Sequence, residues 1–181
     1  MLDNIRAHSI MVARVAHVLL QGLTSSSSSS PPSEELVVAG ALLHDIAKTP
    51  CLKNRCDHAR HGSDICLELG YPEVAEVVRE HVILMNFSLT RYDKGNFLAK
   101  EIVYYADKRV RHDEIVTLDE RLEYILENYG NNDPKRYSLI KENFDKCLQL
   151  EKFLFSAMEL TTNDIQKAVT ISPFRDESAF G

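Results

Sequence analysis

Four ionisable residues fall on the apolar faces of predicted helices, where hydrocarbon side chains are expected. They are His8, His44, Asp45 and Asp107. Burying one ionised group without a partner is costly, so four such groups from three helices should meet one another or a cation. Imidazoles and carboxylates without thiolates suit Fe, Mn, Co, Ni or Zn better than Mg. The pattern predicts a divalent transition-metal site, with open positions for water and a phosphate oxygen.

Each residue also has a simpler interpretation. A single core histidine is more often hydrogen-bonded to a backbone carbonyl than bound to metal, and a single inward aspartate usually caps a helix or pairs with an arginine. Candidates for that pairing are Arg6, Arg109 and Arg111. The metal hypothesis therefore depends on the four residues as a set.

The apolar residues around these four recur at steps of three and four, which is typical of buried helix faces. Helices are predicted over 3–20, 34–47, 58–69, 72–85, 96–111, 118–128, 134–160 and 163–169. No segment shows a strong two-residue alternation, so no sheet is predicted. The sequence thus indicates an all-α, single-domain bundle of seven or eight helices over residues 1–171.

Turn-forming residues separate these helices. A Ser/Pro-rich stretch at 22–33 predicts a flexible connector, and residues 172–181 predict a loose tail. Pro50 is expected to close the second helix, and Gly70 the third. The stretch containing Tyr92 is predicted to be a loop.

Composition excludes several classes of function. Acidic residues outnumber basic ones 27 to 21 and the net charge is -6, which argues against a nucleic-acid polymer as partner. No leader and no apolar run of about 20 residues is present, so a cytoplasmic protein without a membrane contact is expected. The cysteines at 51, 56, 66 and 147 are expected to be reduced thiols, with a zinc clip at Cys51 and Cys56 a remote alternative.

The same residues resemble the HD superfamily of metal-dependent phosphohydrolases, whose pattern is a histidine, a His-Asp pair and a distant aspartate. The stretch Ala-Leu-Leu-His-Asp-Ile-Ala-Lys at 41–48 is similar to its central motif. His8 matches the upstream histidine, and Asp107, in Tyr-Tyr-Ala-Asp-Lys, the downstream aspartate. The likeness covers residues 6–121 and implies a helical bundle of the HD type, as in small bacterial HD-domain hydrolases.

Some members of that family hold two metals through two further histidines, and His58 and His81 are similar to these. The resemblance therefore implies one or two ions, with two favoured, Asp45 bridging them and a bridging hydroxide as nucleophile. With one ion, His58 and His81 would contact phosphate or donate a proton. Lys48 and either Lys108 or Arg111 are candidates to balance negative charge. His17, His61 and His112 match no family position and are expected at the surface or behind the ligands.

The resemblance implies hydrolysis of a phosphate ester or anhydride of a small phosphorylated molecule, with a nucleotide expected. Bacterial hydrolases of symmetrical diadenosine tetraphosphate have a similar arrangement of six residues. The residues that follow Asp107 look closer to small HD domains of unassigned substrate, some fused to nucleotidyltransferases. Two alternatives stay open: a module that binds a nucleotide or signalling phosphate without hydrolysis, and a homodimer formed through the helix predicted over 134–160.

Overall fold

A computed structural model describes residues 1–25, 31–54 and 56–172 of the chain. Within them the helices are α1 Asp3–Thr24, α2 Glu34–Leu43, α3 Lys48–Asn54, α4 His58–Glu68, α5 Pro72–Glu80, α6 Leu89–Tyr92, α7 Ala99–Lys108, α8 Leu118–Tyr129, α9 Pro134–Ser156 and α10 Ile165–Ile171. Two antiparallel strands, β1 Val110–Arg111 and β2 Glu114–Ile115, complete the order. The predicted all-α fold is confirmed.

Helix α7 is the centre of the bundle. All ten of its residues are buried, and it packs against α1, α2, α5 and α9. The long α1 lies against α2 and α7, with Val12, Val15 and Leu19 fully buried on the shared side. Because α7 is enclosed on several sides, its polar residue Asp107 has to face other polar groups inside the protein.

Helices α2 and α5 cross at very short distance because residue 40 is glycine. A Cβ built on Gly40 would lie 2.5 Å from Cγ1 of Val77, closer than real Cβ atoms approach a neighbour. Gly62 on α4 is similar, since its Cβ would lie 2.9 Å from Cγ1 of Val78. These contacts bring the ends of α2, α4 and α5 together, and those ends carry His44, His58 and His81.

The helix predicted over 34–47 is in fact two elements. Helix α2 ends at Leu43, residues 44–47 form a turn, and α3 begins at Lys48. Pro50 therefore does not close a helix but lies in the first turn of α3. That position tolerates proline, because the first backbone N–H groups of a helix have no intrahelical acceptor.

Other boundaries also differ from the prediction. Helix α1 continues to Thr24 because Leu23 is fully buried in the core, so residues 22–24 are helical rather than part of the connector. Tyr92 ends the short helix α6 instead of lying in a loop, and residues 110–115 form a hairpin instead of ending a helix. Residues 26–30 of the predicted connector and 173–181 of the predicted tail lie outside the described part.

Two of the four cysteines are not free thiols. Cys51 and Cys56 form a disulfide, while Cys66 and Cys147 are free and buried. The expectation of four reduced thiols is therefore wrong for this pair. The chain leaves α3 after only seven residues and turns back, which brings the two Cα atoms within 4.7 Å, and disulfides need such a separation.

Among the described residues, no helix combines the length and hydrophobicity needed to cross a membrane.

Candidate metal centre

The turn after α2 directs two neighbouring side chains into one space. On a continuous helix the side chains of His44 and Asp45 would diverge by about 100°. In the turn, Nε2 of His44 lies 3.4 Å from Oδ2 of Asp45, and both side chains are 1% exposed. The break in the predicted helix is therefore what lets the two residues act together.

Two distant residues reach the same space from α1 and α7. Nε2 of His8 lies 3.0 Å from Oδ1 of Asp107 and 3.9 Å from Oδ2 of Asp45. Oδ1 of Asp107 is also 3.8 Å from Nε2 of His44. The four ionisable residues that the sequence places on apolar helix faces thus form one buried cluster.

His58 and His81 lie on the other side of Asp45. Their Nε2 atoms are 3.3 Å and 3.6 Å from Oδ1 of Asp45, and 3.2 Å from each other. His81 is buried, whereas the side chain of His58 is 28% exposed. Each oxygen of Asp45 therefore faces its own pair of histidines.

Backbone contacts of three histidines determine which ring nitrogen carries the hydrogen in the neutral form. The Nδ1 atoms of His8, His44 and His81 each lie 2.7 Å from a backbone carbonyl oxygen, of His112, Ala41 and Val78 respectively. A neutral ring that donates from Nδ1 presents a lone pair at Nε2. Those lone pairs point towards carboxylate oxygens, which also carry lone pairs. Such an arrangement needs a proton or a metal cation in the middle, and this is the usual geometry of metal-binding histidines.

Two buried atoms of the cluster support a cation there. Nε2 of His44 and Oδ1 of Asp45 have no hydrogen-bond partner among the described residues. A buried polar atom without a partner is costly and needs an explanation, of which a bound cation is one. The donor set of imidazoles and carboxylates therefore fits a divalent metal ion.

The electrostatics of the cluster favour positive charge at its centre. Burial opposes the ionised form of Asp45, but the charge of a protonated His44 beside it holds the pKa of the carboxyl well below its usual value. Burial also opposes charge on Asp107, and Lys108 and His8 lower the pKa of that carboxyl nonetheless. Burial lowers the pKa of His81 to about 4. Burial also opposes the charged form of His44, yet Asp45 and Asp107 raise the pKa of this imidazole. The two carboxylates thus attract positive charge to the centre of the cluster, which a proton or a metal ion can supply.

The ligand atoms fall into two groups that share one residue. The first contains His8, His44 and Asp45, and the second contains Asp45, His58 and His81, with all atoms of a group within 4.8 Å of one another. Asp107 contacts His8 and His44 of the first group. The arrangement offers two neighbouring cation positions on either side of Asp45.

Three cations surround these carboxylates. Nζ of Lys48 donates to Oδ2 of Asp45 at 2.6 Å, and Nζ of Lys108 donates to Oδ2 of Asp107 at 3.0 Å and to the carbonyl of His81 at 2.8 Å. Nη2 of Arg121 lies 3.6 Å from Oδ1 of Asp107. Arg111, the alternative to Lys108, instead pairs with Glu114 at the surface.

Arg121 is the residue that the sequence analysis missed. The candidates named there lie elsewhere: Arg6 pairs with Asp3, and Arg109 donates to Tyr105 and Val116. Arg121 follows Leu118 by three positions and precedes Ile125 by four, so it lies in the apolar stripe of α8. Like His8 and Asp107, Arg121 is an ionisable residue within the apolar stripe of a helix, and that pattern could have identified it.

The remaining histidines lie outside the cluster. His61 is exposed on α4, and His17 is buried on α1 with Nδ1 3.2 Å from Glu34. His112 is exposed, but its carbonyl oxygen contacts the Nδ1 atom of His8 and so orients that ring.

A cavity of about 510 Å³ opens onto the cluster. Asp45, His58, His81 and Asp107 form part of its wall, together with all three cations. Volumes of this order are typical of sites for small molecules.

The HD domain family model matches residues 5–111. The chain therefore belongs to the HD domain family, whose members are mostly metal-dependent hydrolases. The matched segment contains all six clustered histidines and aspartates, and ends before Arg121. No curated protein and no solved structure matches the chain.

Proposed function

We propose that this protein is a metal-dependent phosphohydrolase that cleaves a phosphate ester or anhydride of a small phosphorylated molecule. A nucleotide is the first substrate class to test. The observation that carries the proposal is the pair of ligand groups that share the buried Asp45 and open onto a cavity of about 510 Å³. Family membership supports the hydrolytic class, and the cavity supports a small substrate.

The proposed ligands of one ion are His8, His44, Asp45 and Asp107, and those of a second are Asp45, His58 and His81. Because each oxygen of Asp45 faces its own histidine pair, this carboxylate would bridge two ions. Fe, Mn, Co, Ni or Zn fit this donor set better than Mg. A bound ion of this kind lowers the pKa of coordinated water and polarises a phosphate oxygen.

The protein's own groups would orient and neutralise the substrate. Lys48 lies at the cavity wall within reach of both Asp45 and an incoming phosphate, and is placed to balance charge that develops there. Lys108 holds the Asp107 carboxylate and the backbone of His81 in place. His58, the more exposed member of the second pair, can donate a proton to a leaving oxygen when it is not a ligand.

The number of ions can be measured with a matched pair of histidine variants on α4. We expect two ions per chain in protein reconstituted with Mn²⁺ and one in His58→Ala, by elemental analysis. His61→Ala, which removes an exposed histidine from the same helix, should keep two. One ion in the wild type and no change in His58→Ala would reject the second site.

The reaction is tested by incubating Mn²⁺- or Co²⁺-loaded protein with nucleotides and other organic phosphates, followed by product analysis. The proposal is supported if the wild type turns over a substrate and His44→Ala loses both turnover and metal. A ligand that binds the metal-loaded wild type tightly and is recovered intact would overturn hydrolysis in favour of a binding module.

A further inference from the structure

The cavity at the metal centre has two chemically different walls. One is polar and consists of four cluster residues and their three cations: Asp45, His58, His81, Asp107, Lys48, Lys108 and Arg121. The other is formed by aliphatic and aromatic side chains from α3, α8, α9 and the segment after α5: Leu52, Ile83, Ile125, Leu139, Ile140 and Phe144. A phosphorylated substrate that fills this space would therefore place its phosphate at the polar wall and its organic part at the apolar wall.

Arg121 marks where the phosphate would lie. Its side chain is about 10% exposed, yet its Nε atom has no hydrogen-bond partner in the described part of the chain. The guanidinium carbon lies 5.5 Å from the centre of the Tyr124 ring, and Arg121 forms part of the cavity wall. A buried guanidinium N–H that is unsatisfied is costly, and a phosphate oxygen is its best-matched acceptor.

The apolar wall is open to solvent. Leu52, Ile83 and Leu139 are 63%, 59% and 65% exposed, although each is a large hydrophobic residue. Exposed hydrophobic residues that gather at one cavity indicate a ligand that covers them.

Three further residues with polar groups, Tyr129, Arg136 and Asn143, line the cavity, and Asn143 is already engaged by neighbouring groups. Asn143 donates from Nδ2 to the carbonyl of Val82 at 3.0 Å, and its Oδ1 accepts from the hydroxyl of Tyr104 at 2.9 Å. The Asn143 amide is therefore not free to recognise a ligand, while the exposed Arg136 donates to the carbonyl of Tyr129 at 3.4 Å.

We propose that the cavity binds organic phosphates whose non-phosphate part is apolar, an alkyl chain or an aromatic ring, with Arg121 at the phosphate and the Leu52, Ile83 and Leu139 side of the cavity against the organic part. The inference rests on the proposed phosphohydrolase function and specifies its substrate class. A nucleotide would satisfy it through the faces of its base, without base-specific hydrogen bonds.

The test uses non-hydrolysable phosphonates, so that binding is measured apart from turnover. Methyl-, butyl-, hexyl- and phenylphosphonate are titrated into Mn²⁺-loaded protein by calorimetry. Each methylene that leaves water contributes about fourfold in affinity, so hexylphosphonate should bind at least about tenfold more tightly than methylphosphonate. The polar control, 2,3-dihydroxypropylphosphonate, should gain little over methylphosphonate.

Two variants separate the walls. Leu139→Ser should reduce the preference for hexyl over methyl, whereas Leu69→Ser, a leucine of equal exposure outside the cavity wall, should not. Arg121→Gln should weaken the binding of every phosphonate in the series by a similar factor. The conservative Arg121→Lys should weaken binding less, because lysine keeps the charge. Arg111→Gln serves as the surface control.

The outcomes distinguish this inference from the proposed function. Equal affinities along the phosphonate series, no binding at all, or tighter binding of 2,3-dihydroxypropylphosphonate than of hexylphosphonate would overturn the inference, even if phosphate esters were hydrolysed. Affinity that rises with chain length, in protein that hydrolyses neither the matching alkyl phosphates nor nucleotides, would uphold the binding preference and reject the phosphohydrolase proposal.

Discussion

Two buried polar clusters lie on opposite ends of α7, and they are built differently. The first, here called the Glu101 cluster, consists of Arg91, Tyr92 and Glu101. Glu101 accepts from the guanidinium of Arg91, from the Tyr92 hydroxyl at 2.7 Å and from the backbone N–H of Leu98 at 2.7 Å. Every acceptor there faces a donor, so the cluster is complete within the protein.

The second, the metal-centre cluster, consists of His8, His44, Asp45, His58, His81 and Asp107. Lysines donate to one oxygen of each aspartate, but Asp45 Oδ1 and His44 Nε2 are left without hydrogen bonds among the described residues. The comparison separates a buried polar group that stabilises the fold from one that is arranged for a ligand. The first should respond to mutation in stability, and the second in metal content and turnover.

The largest effect is expected for Asp45→Asn. The amide keeps the shape of the side chain but cannot bridge two cations, so metal content should fall to background and turnover by about a thousandfold or more. The free energy of unfolding in chelator should change by no more than about 1 kcal/mol. Elemental analysis, steady-state kinetics and urea unfolding measure the three quantities. A variant that retained metal and turnover would remove Asp45 from the mechanism.

Glu101→Gln should show the opposite pattern. It leaves the partly exposed Arg91 without its carboxylate and weakens the bonds from Tyr92 and Leu98, at a cost of about 3 kcal/mol in stability. The urea midpoint of the chelated protein measures this loss. Metal content below the transition should equal that of the wild type, and the exposed Glu68→Gln should leave both quantities unchanged. A stability change below about 1 kcal/mol would mean that the Glu101 cluster does not stabilise the fold.

Metal addition should stabilise the protein through the metal-centre cluster alone. An ion at one hundred times its dissociation constant adds about 2.7 kcal/mol per site to the free energy of unfolding, provided that it binds only the folded state. Melting curves with Mn²⁺ and with chelator should therefore differ for the wild type and for Glu101→Gln, but not for Asp45→Asn. Equal shifts in all three proteins would place the binding elsewhere.

Most of the helical architecture could be predicted from the sequence, because amphipathic periodicity reflects burial directly. The starts of α4, α5 and α9 follow from local signals: the carboxylate of Asp57 accepts from Ala59 and Arg60, and Pro72 and Pro134 occupy the first turns of their helices. These signals lie within a few residues of each helix start, so they can be recognised from the sequence without knowledge of tertiary contacts.

The elements that were missed depend on tertiary contacts or unusual turn chemistry. The hairpin β1–β2 turns at His112, which has a φ of 57°. Hairpin turns with positive φ favour Asn or Gly, so His112 gives no recognisable turn signal. The break after Leu43 likewise occurs inside an apolar stripe that continues to Ala47.

The candidate metal centre was predictable in part for a different reason. His8 and Asp107 are anomalies in otherwise apolar stripes, and burial alone identifies them. His58 and His81 needed the family resemblance, because a histidine at the edge of a helix face has an ordinary structural interpretation. Each Asp45 oxygen faces one histidine pair because residues 44–47 form a turn. The sequence predicted a continuous helix there, so this arrangement could not be foreseen.

The smallest effect is expected for Lys48→Met, which tests whether a cation at the edge of the metal-centre cluster acts on the substrate. Nζ of Lys48 lies 2.6 Å from Oδ2 of Asp45, and the lysine side chain is 29% exposed whereas Asp45 is 1% exposed. After the loss of Lys48, the buried carboxylate would still face the histidines and a bound metal ion. We expect turnover to fall about tenfold while the metal content stays at the wild-type value, because Lys48 would balance charge without being a ligand. Lys53→Met, an exposed lysine on the same helix α3, is the matched control and should leave both quantities unchanged. A loss of metal in Lys48→Met would show that this lysine supports the ligands, and unchanged turnover with full metal content would show that it is an ordinary surface cation.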